Sequence, residues 1–189
     1  MPPRSMPTIH FLSQHQLESL TSPHRLAIVQ RLYVDKQATA AELAQRMGRP
    51  VTSLYHHLKQ LEDVGVIRVA SERKGSRRPE AVYALVADDL STAQAVKTPS
   101  GRKTYGRAAA RVADAGARAF SAAVTRDDLR FEGEQRNAMV RFYVLRADPE
   151  KIARLNGLLN ALEETASQSS EQGEEIQISV LVSPPQSKR

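Results

Sequence analysis

The sequence predicts an α+β fold, and three observations carry that prediction. Two short helical stretches flank a glycine within residues 39–61, two β-rich stretches follow across a strongly basic tip, and alternating apolar periodicity returns on either side of one helix in the last third. In chain order these give an N-terminal helix-turn-helix with a β-hairpin wing, a long helix and a small C-terminal βαβ unit. The expected domain boundaries are residues 1–90, 91–128 and 129–189.

The first helix of the pair opens at Thr39-Ala40-Ala41-Glu42. Thr39 is placed to cap the first helical amides and Glu42 to reach back to the Thr39 amide. Leu43 and Met47 share a face, and Gly48 supplies a residue able to end a helix in the left-handed region. A three-residue turn, Gly48-Arg49-Pro50, is expected to lead into a second helix, with Pro50 at its first position. Val51, Leu54, Leu58 and Leu61 recur at helical spacing and define a buried stripe. Thr52, His56 and Lys59 fall opposite, flanked by Ser53 and Tyr55, so the outer face is rich in groups that hydrogen-bond to base edges. Thr52, Ser53, Tyr55, His56 and Lys59 are therefore the candidate major-groove contacts. His57 sits near the buried edge and reads as a structural residue, whereas His56 reads as a contact.

After Gly65, Val66-Ile67-Arg68-Val69-Ala70 and Ala81-Val82-Tyr83-Ala84-Leu85-Val86 are β-prone, and together they read as a hairpin. Arg73, Lys74, Arg77 and Arg78 crowd its tip. With Arg49 they form the candidate phosphate or minor-groove contacts; a solvated basic turn is the plainer alternative. Upstream, Ser22 and Pro23 start a helix in which Leu26, Val29 and Leu32 back the pair.

The runs Leu20-Thr-Ser-Pro-His-Arg-Leu-Ala-Ile-Val29, Ala41-Glu-Leu-Ala44, Ser53-Leu-Tyr-His-His-Leu-Lys-Gln-Leu-Glu-Asp-Val-Gly65 and Tyr83-Ala-Leu85 together resemble the ArsR-type winged-helix transcription regulators. The resemblance covers about residues 20–85. It implies a three-helix bundle plus wing, a homodimer, and a helix carrying Thr52 to Lys59 into successive major grooves of double-stranded DNA. One departure from the metal-sensing branch is plain: the chain has no cysteine. Thiolate metal sites, disulfides and cysteine nucleophiles are thereby excluded, and the five histidines offer no evident ligand set, so neither a metal nor a cofactor is expected.

Beyond residue 98, Thr98-Pro99-Ser100-Gly101 reads as a break before one long helix over residues 102–126. Its apolar side is mostly alanine, with Tyr105 and Phe120 as large exceptions. Small side chains allow close helix approach, which makes Tyr105, Ala109, Val112, Ala119 and Phe120 candidate dimerisation residues. Packing on its own domain is the alternative. In the last third, residues 139–145 alternate as a strand, Asp148-Pro149-Glu150 opens a helix striped by Ile152, Leu155, Leu159 and Leu162, and Ile176, Ile178, Val180 and Val182 alternate as a second strand. The exposed face of that unit has two readings, a surface covering the partner subunit or a shallow site for a small-molecule effector.

The formal charge is +6. It divides unevenly: 12 Lys and Arg against 9 Asp and Glu in residues 1–90, 7 against 3 in 91–128, and 8 against 9 in 129–189. The excess thus lies where a polyanion is expected to bind. With no secretory leader and no long apolar run, the expectation is a cytoplasmic protein without a membrane partner. No Gly-rich phosphate loop, nucleophile elbow or His-Glu-x-x-His motif is present, so no enzyme is expected. The leading function is a homodimeric repressor at an inverted-repeat operator. The rival is a winged-helix module for protein interaction or for nonspecific nucleic-acid or RNA binding.

Overall fold

The computed structural model describes residues 8–74, 79–167 and 173–184. The chain divides into two compact units, residues 1–115 and 116–189.

The first unit begins with a short strand, β1 (Ile9–Phe11), and a one-and-a-half-turn helix, α1 (Gln14–Ser19). Sequence reading missed both, although Ser13-Gln14-His15-Gln16 carries the Ser-x-x-Gln pattern of a capping box, and that box forms. α2 (Pro23–Asp35) starts at the expected Ser22-Pro23. A three-residue strand, β2 (Gln37–Thr39), leads into α3 (Ala40–Arg46), and α4 (Thr52–Asp63) follows. The wing is β3 (Ile67–Lys74) and β4 (Pro79–Leu85). β2 pairs antiparallel with β4, giving a sheet of order β2-β4-β3, and a bulge between Val69 and Ser71 lets β3 bend. β5 (Asp89–Ser91) returns to pair in parallel with β1.

The core of this unit gathers the stripes anticipated from periodicity. Ile28, Val29 and Leu32 of α2, Leu43 of α3, and Leu54, Leu58 and Leu61 of α4 pack with Val66, Ile67 and Leu85 of the sheet. Each fully buried aliphatic side chain contributes roughly 1.5–3 kcal/mol, so this cluster fixes the angle at which α4 is presented. Polar ties supplement it. The Tyr33 hydroxyl accepts from the Leu90 amide at 2.8 Å, and burial pushes its pKa up to about 12. Gln16 donates to the carbonyls of Val64 and Gly65 at 2.9 and 3.1 Å, anchoring α1 to the end of α4.

α5 (Pro99–Ala123) differs from the expected 102–126 at both ends. The expected break is the helix start: the Gly101 amide donates to Thr98 Oγ1 at 2.9 Å, and Pro99 occupies a first-turn position where its missing N–H costs nothing. The first turns pack on their own unit. Gly101, Thr104 and Ala108 are buried, Ala108 in a cluster with Leu17 and Ala95. A Cβ on Gly101 would lie 1.7 Å from the Ala95 carbonyl oxygen, so only glycine fits there.

The second unit corrects the expected βαβ arrangement. Its helix forms as anticipated, α6 (Pro149–Ser167), with Asp148 Oδ1 accepting from the Lys151 amide at 2.8 Å. Residues 139–145 and 176–182, however, make no strand ladder. Both faces of these segments lie open, Arg141, Tyr143, Leu145, Gln177, Ser179 and Leu181 as well as Val140, Phe142 and Val144. The α6 stripe is also uncovered at Ile152 and Leu155, while Leu159 and Leu162 are half-buried. The reason is energetic: two strands and a helix bury too little to stand alone, and a two-stranded pair with open edges is marginal in water. A polar clasp ties parts of this unit together, in which Arg130 donates to Glu174 Oε2 at 2.8 Å and Asn137 donates to both Glu174 and the Asp128 carbonyl. The overall class remains α+β.

Candidate nucleic-acid interface

The turn between α3 and α4 is longer than the sequence implied. It spans residues 47–51, with Gly48 at φ +60° as the left-handed residue, Val51 at the N-cap and Thr52, rather than Pro50, at the first helical position of α4. The expected capping box at the start of α3 forms in full: Thr39 Oγ1 accepts from the Glu42 amide at 3.2 Å, and Glu42 Oε2 accepts from the Thr39 amide at 2.7 Å.

α4 divides cleanly. Leu54, Leu58 and Leu61 have no solvent exposure, while Thr52, Ser53, Tyr55, His56 and Lys59 are all exposed. Tyr55 stands 55% open, which is unusual for a large aromatic side chain and places its ring and hydroxyl where a partner can be met. Two of the five are partly engaged. The Ser53 hydroxyl donates to the Pro50 carbonyl at 2.7 Å, leaving its lone pairs free, and Lys59 pairs with Asp63 at 2.6 Å. The hydrogen bond and charge of Asp63 hold the Lys59 ammonium above its ordinary pKa.

Two of the five cations assigned to phosphate are also engaged within the protein. Arg73 Nη1 reaches Glu42 Oε1 at 2.7 Å, joining the wing to α3. Arg49 Nη1 donates to His24 Nε2 at 2.9 Å, joining the turn to α2. Lys74 is exposed at the end of β3, and Arg77 and Arg78 lie outside the described residues. The Thr39 amide, aided by Arg73, holds the Glu42 carboxyl below its usual range.

Sequence reading missed two residues that matter here. His24 had no apparent partner, yet its ring stacks on His57 with centroids 5.0 Å apart. Asp35, at the end of α2, takes Arg31 at 2.9 Å and also pairs with Arg46 of α3. The pattern Arg31-x-x-x-Asp35 is an ion-pair spacing visible in sequence; the contact to Arg46 depends on the fold.

The dimerisation candidates on α5 fall into two groups. Tyr105 and Ala119 are exposed, while Ala109, Val112 and Phe120 are half-buried. None of the five is closed off in the core. Among the described residues no cluster of three or more His, Asp or Glu is placed to hold a metal ion. Among them, too, no helix is long and apolar enough to cross a membrane.

No match is found among curated proteins. A bundle of α2, α3 and α4 thus presents one hydrogen-bonding helix face beside a β-hairpin, and residues 20–70 match the family described as the helix-turn-helix domain. The match covers residues 20–70 and supports a DNA-binding regulator in general.

Proposed function

We propose that this chain is a cytoplasmic, ArsR-type winged-helix transcription regulator that binds an inverted-repeat operator as a homodimer and represses by occupying it. The observation that carries this reading is the two-sidedness of α4. Its leucines are wholly buried, and the opposite face sets Thr52, Tyr55 and His56 in solvent beside the wing. Residues of these types read donor and acceptor patterns in a major groove, while basic side chains at the turn and wing set the register on phosphate. Residues 1–90 then serve as the DNA-binding part, 91–128 as the dimerisation helix and 129–189 as a dimerisation or effector unit. With no cysteine, the regulator works without a thiolate metal site.

The exposed apolar surface of the second unit supports the dimer. Sixteen of the chain's exposed large hydrophobic side chains lie in residues 116–189, whereas Ala138 is the one buried hydrophobic residue there among those described. If half of each is open, they expose on the order of 500–1,000 Å² of apolar surface. That reaches the ~800 Å² each partner contributes to a standard interface. A twofold homodimer also sets two recognition helices about one helical turn, ~34 Å, apart.

The test is selection of bound duplexes from random DNA, followed by binding of the selected sequence at several salt concentrations. An inverted repeat bound far more tightly than random duplex supports the reading. One observation favours a second reading, a module for protein interaction or nonspecific nucleic-acid binding: Arg49, Arg73 and Lys59 each have partners within the chain. That reading predicts no enriched motif and, for a nonspecific binder, only a steep salt dependence.

A further inference from the structure

Three side chains from three elements meet at one edge of α4. His24 lies in the first turn of α2, Arg49 in the turn after α3, and His57 on α4. The His24 and His57 rings stack 20° from parallel, and Arg49 Nη1 donates to His24 Nε2 at 2.9 Å. His56 adjoins the stack, its ring centroid 5.7 Å from that of His57. Arg25 backs the cluster from α2, its Nε donating to the Ser19 carbonyl at 2.6 Å and its Nη1 to Gln60 Oε1 at 2.7 Å. Arg25 also lines a shallow hollow together with His15, Glu18 and Asp63. Among the described residues no carboxylate pairs with His24, Arg49, His56 or His57. Arg49 and three imidazoles are thus gathered without a paired carboxylate, and the acids Glu18 and Asp63 line the hollow beside Arg25.

The hydrogen bond sets the donor and acceptor roles. Arg49 can only donate, so His24 accepts it through Nε2. A proton on His24 would replace that acceptor with a second donor and set two cations against each other. At His57, burial pushes the pKa down, and His24, Arg25 and His56 push in the same direction against a smaller opposing effect of Gln60, while its Nδ1 is enclosed with no hydrogen-bond partner. His57 therefore resists a proton as long as the cluster stands alone. An anion between Arg49 and His24 reverses the balance, because it accepts from both and rewards the second N–H.

We propose that a phosphodiester of the DNA backbone seats at His24, Arg49 and His57, and that it brings a proton with it, so that duplex binding strengthens as pH falls. This rests on the DNA-binding reading above. The sign follows from linkage: bound phosphate raises the imidazole pKa, the complex holds more protons than its parts, and affinity rises as the solution passes below the bound-state value. Each unit of pKa rise is worth tenfold in affinity.

The experiment measures binding of the full chain to the selected operator and to a random duplex between pH 5.5 and 8.5 at fixed ionic strength. Calorimetry in two buffers of different ionisation enthalpy counts the protons taken up. The expected result is an affinity that rises by about three- to tenfold from pH 7.5 to 6 on both duplexes, with net proton uptake. His24→Gln should lose most of that rise. Arg49→Gln, at an exposed turn, should flatten the salt slope by about one. Duplex binding that is independent of pH, or a pH slope unchanged in both His24→Gln and His57→Gln, overturns the proposal and leaves the DNA reading intact. An unchanged salt slope in Arg49→Gln overturns the placement of the phosphate. Failure to bind any duplex at low salt and any pH overturns the DNA reading itself, and this inference with it.

Discussion

Glu42 and Arg73 are joined at 2.7 Å, and the other oxygen of the same carboxylate accepts from the Thr39 amide. One side chain therefore closes the N-terminus of α3 and fastens the wing to it. Glu42→Gln should keep a hydrogen-bonding cap while releasing Arg73. Two measurements check this. Thermal unfolding should show a loss of about 0.5–2 kcal/mol, the range of a weakened cap. Binding to random duplex should tighten modestly, with a salt slope steeper by about one, as a freed guanidinium joins the phosphate contacts.

On α4, Thr52, Tyr55 and His56 face solvent without partners that restrain them in the core. Replacing each by Ala should cost roughly 1–3 kcal/mol of discrimination at particular base pairs. Replacing Lys74 should weaken all sequences alike. Competition binding against single-base variants of the operator separates the two behaviours, and equal loss on specific and random duplexes from the α4 substitutions would remove base readout from this helix.

The parts legible in the sequence were those encoded locally. The Thr39 and Glu42 box needs only three residues of separation, and the stripe of Leu54, Leu58 and Leu61 is fixed by helical period alone. β1, β2 and β5 were not legible, because three-residue strands carry too little periodicity and owe their existence to partners up to eighty residues away. The pairing of His24 with Arg49 and His57 was hidden for the same reason. In the second unit the difficulty is of another kind. The alternation in residues 139–145 and 176–182 is real, but a pattern specifies a strand only where there is a sheet for it to join.

Asp35 is only 8% exposed and joins α2 to α3 through Arg46. Burial alone would push its carboxyl up, but Arg31 and Arg46 together outweigh that and hold its pKa below the ordinary value. A carboxylate with a depressed folded-state pKa contributes stability that is complete above its unfolded value, near 4, and disappears as pH falls through the folded value. Asp35→Asn should lower stability by about 1–3 kcal/mol at pH 7. It should also flatten the fall of stability below about pH 4, which denaturant unfolding at stepped pH would show.

Gly101 faces the Ala95 carbonyl across a gap too small for a methyl group. Gly101→Ala is a favourable change for an exposed helix position, but here the backbone of residues 95–98 must shift. A loss of about 1–3 kcal/mol is expected, the usual range for overpacking. Gly106→Ala, where nothing lies within 4 Å, is the control and should be neutral or stabilising. Opposite signs for the two in thermal unfolding would confirm that packing against residue 95, not helix propensity, decides the residue at 101.

Phe142 is 86% exposed, the most open large apolar side chain among the described residues, and Val140 and Val144 are open beside it. If a second copy covers this surface, a charge there must be buried in the dimer or the dimer must part. Phe142→Glu should therefore weaken self-association by 2 kcal/mol or more, about thirtyfold in Kd, the size expected of a central interface residue. Sedimentation equilibrium across a concentration series reads this directly. The helix-turn-helix unit is built on its own core of α2, α3 and α4, so its fold should be untouched, and circular dichroism would show the helical signal of those elements retained. Operator affinity should fall with the dimer, because two half-sites reward only linked recognition helices, while binding to a single half-site should be unchanged. A variant that remains dimeric would move the interface to α5, where Tyr105→Ala and Phe120→Ala become the decisive substitutions.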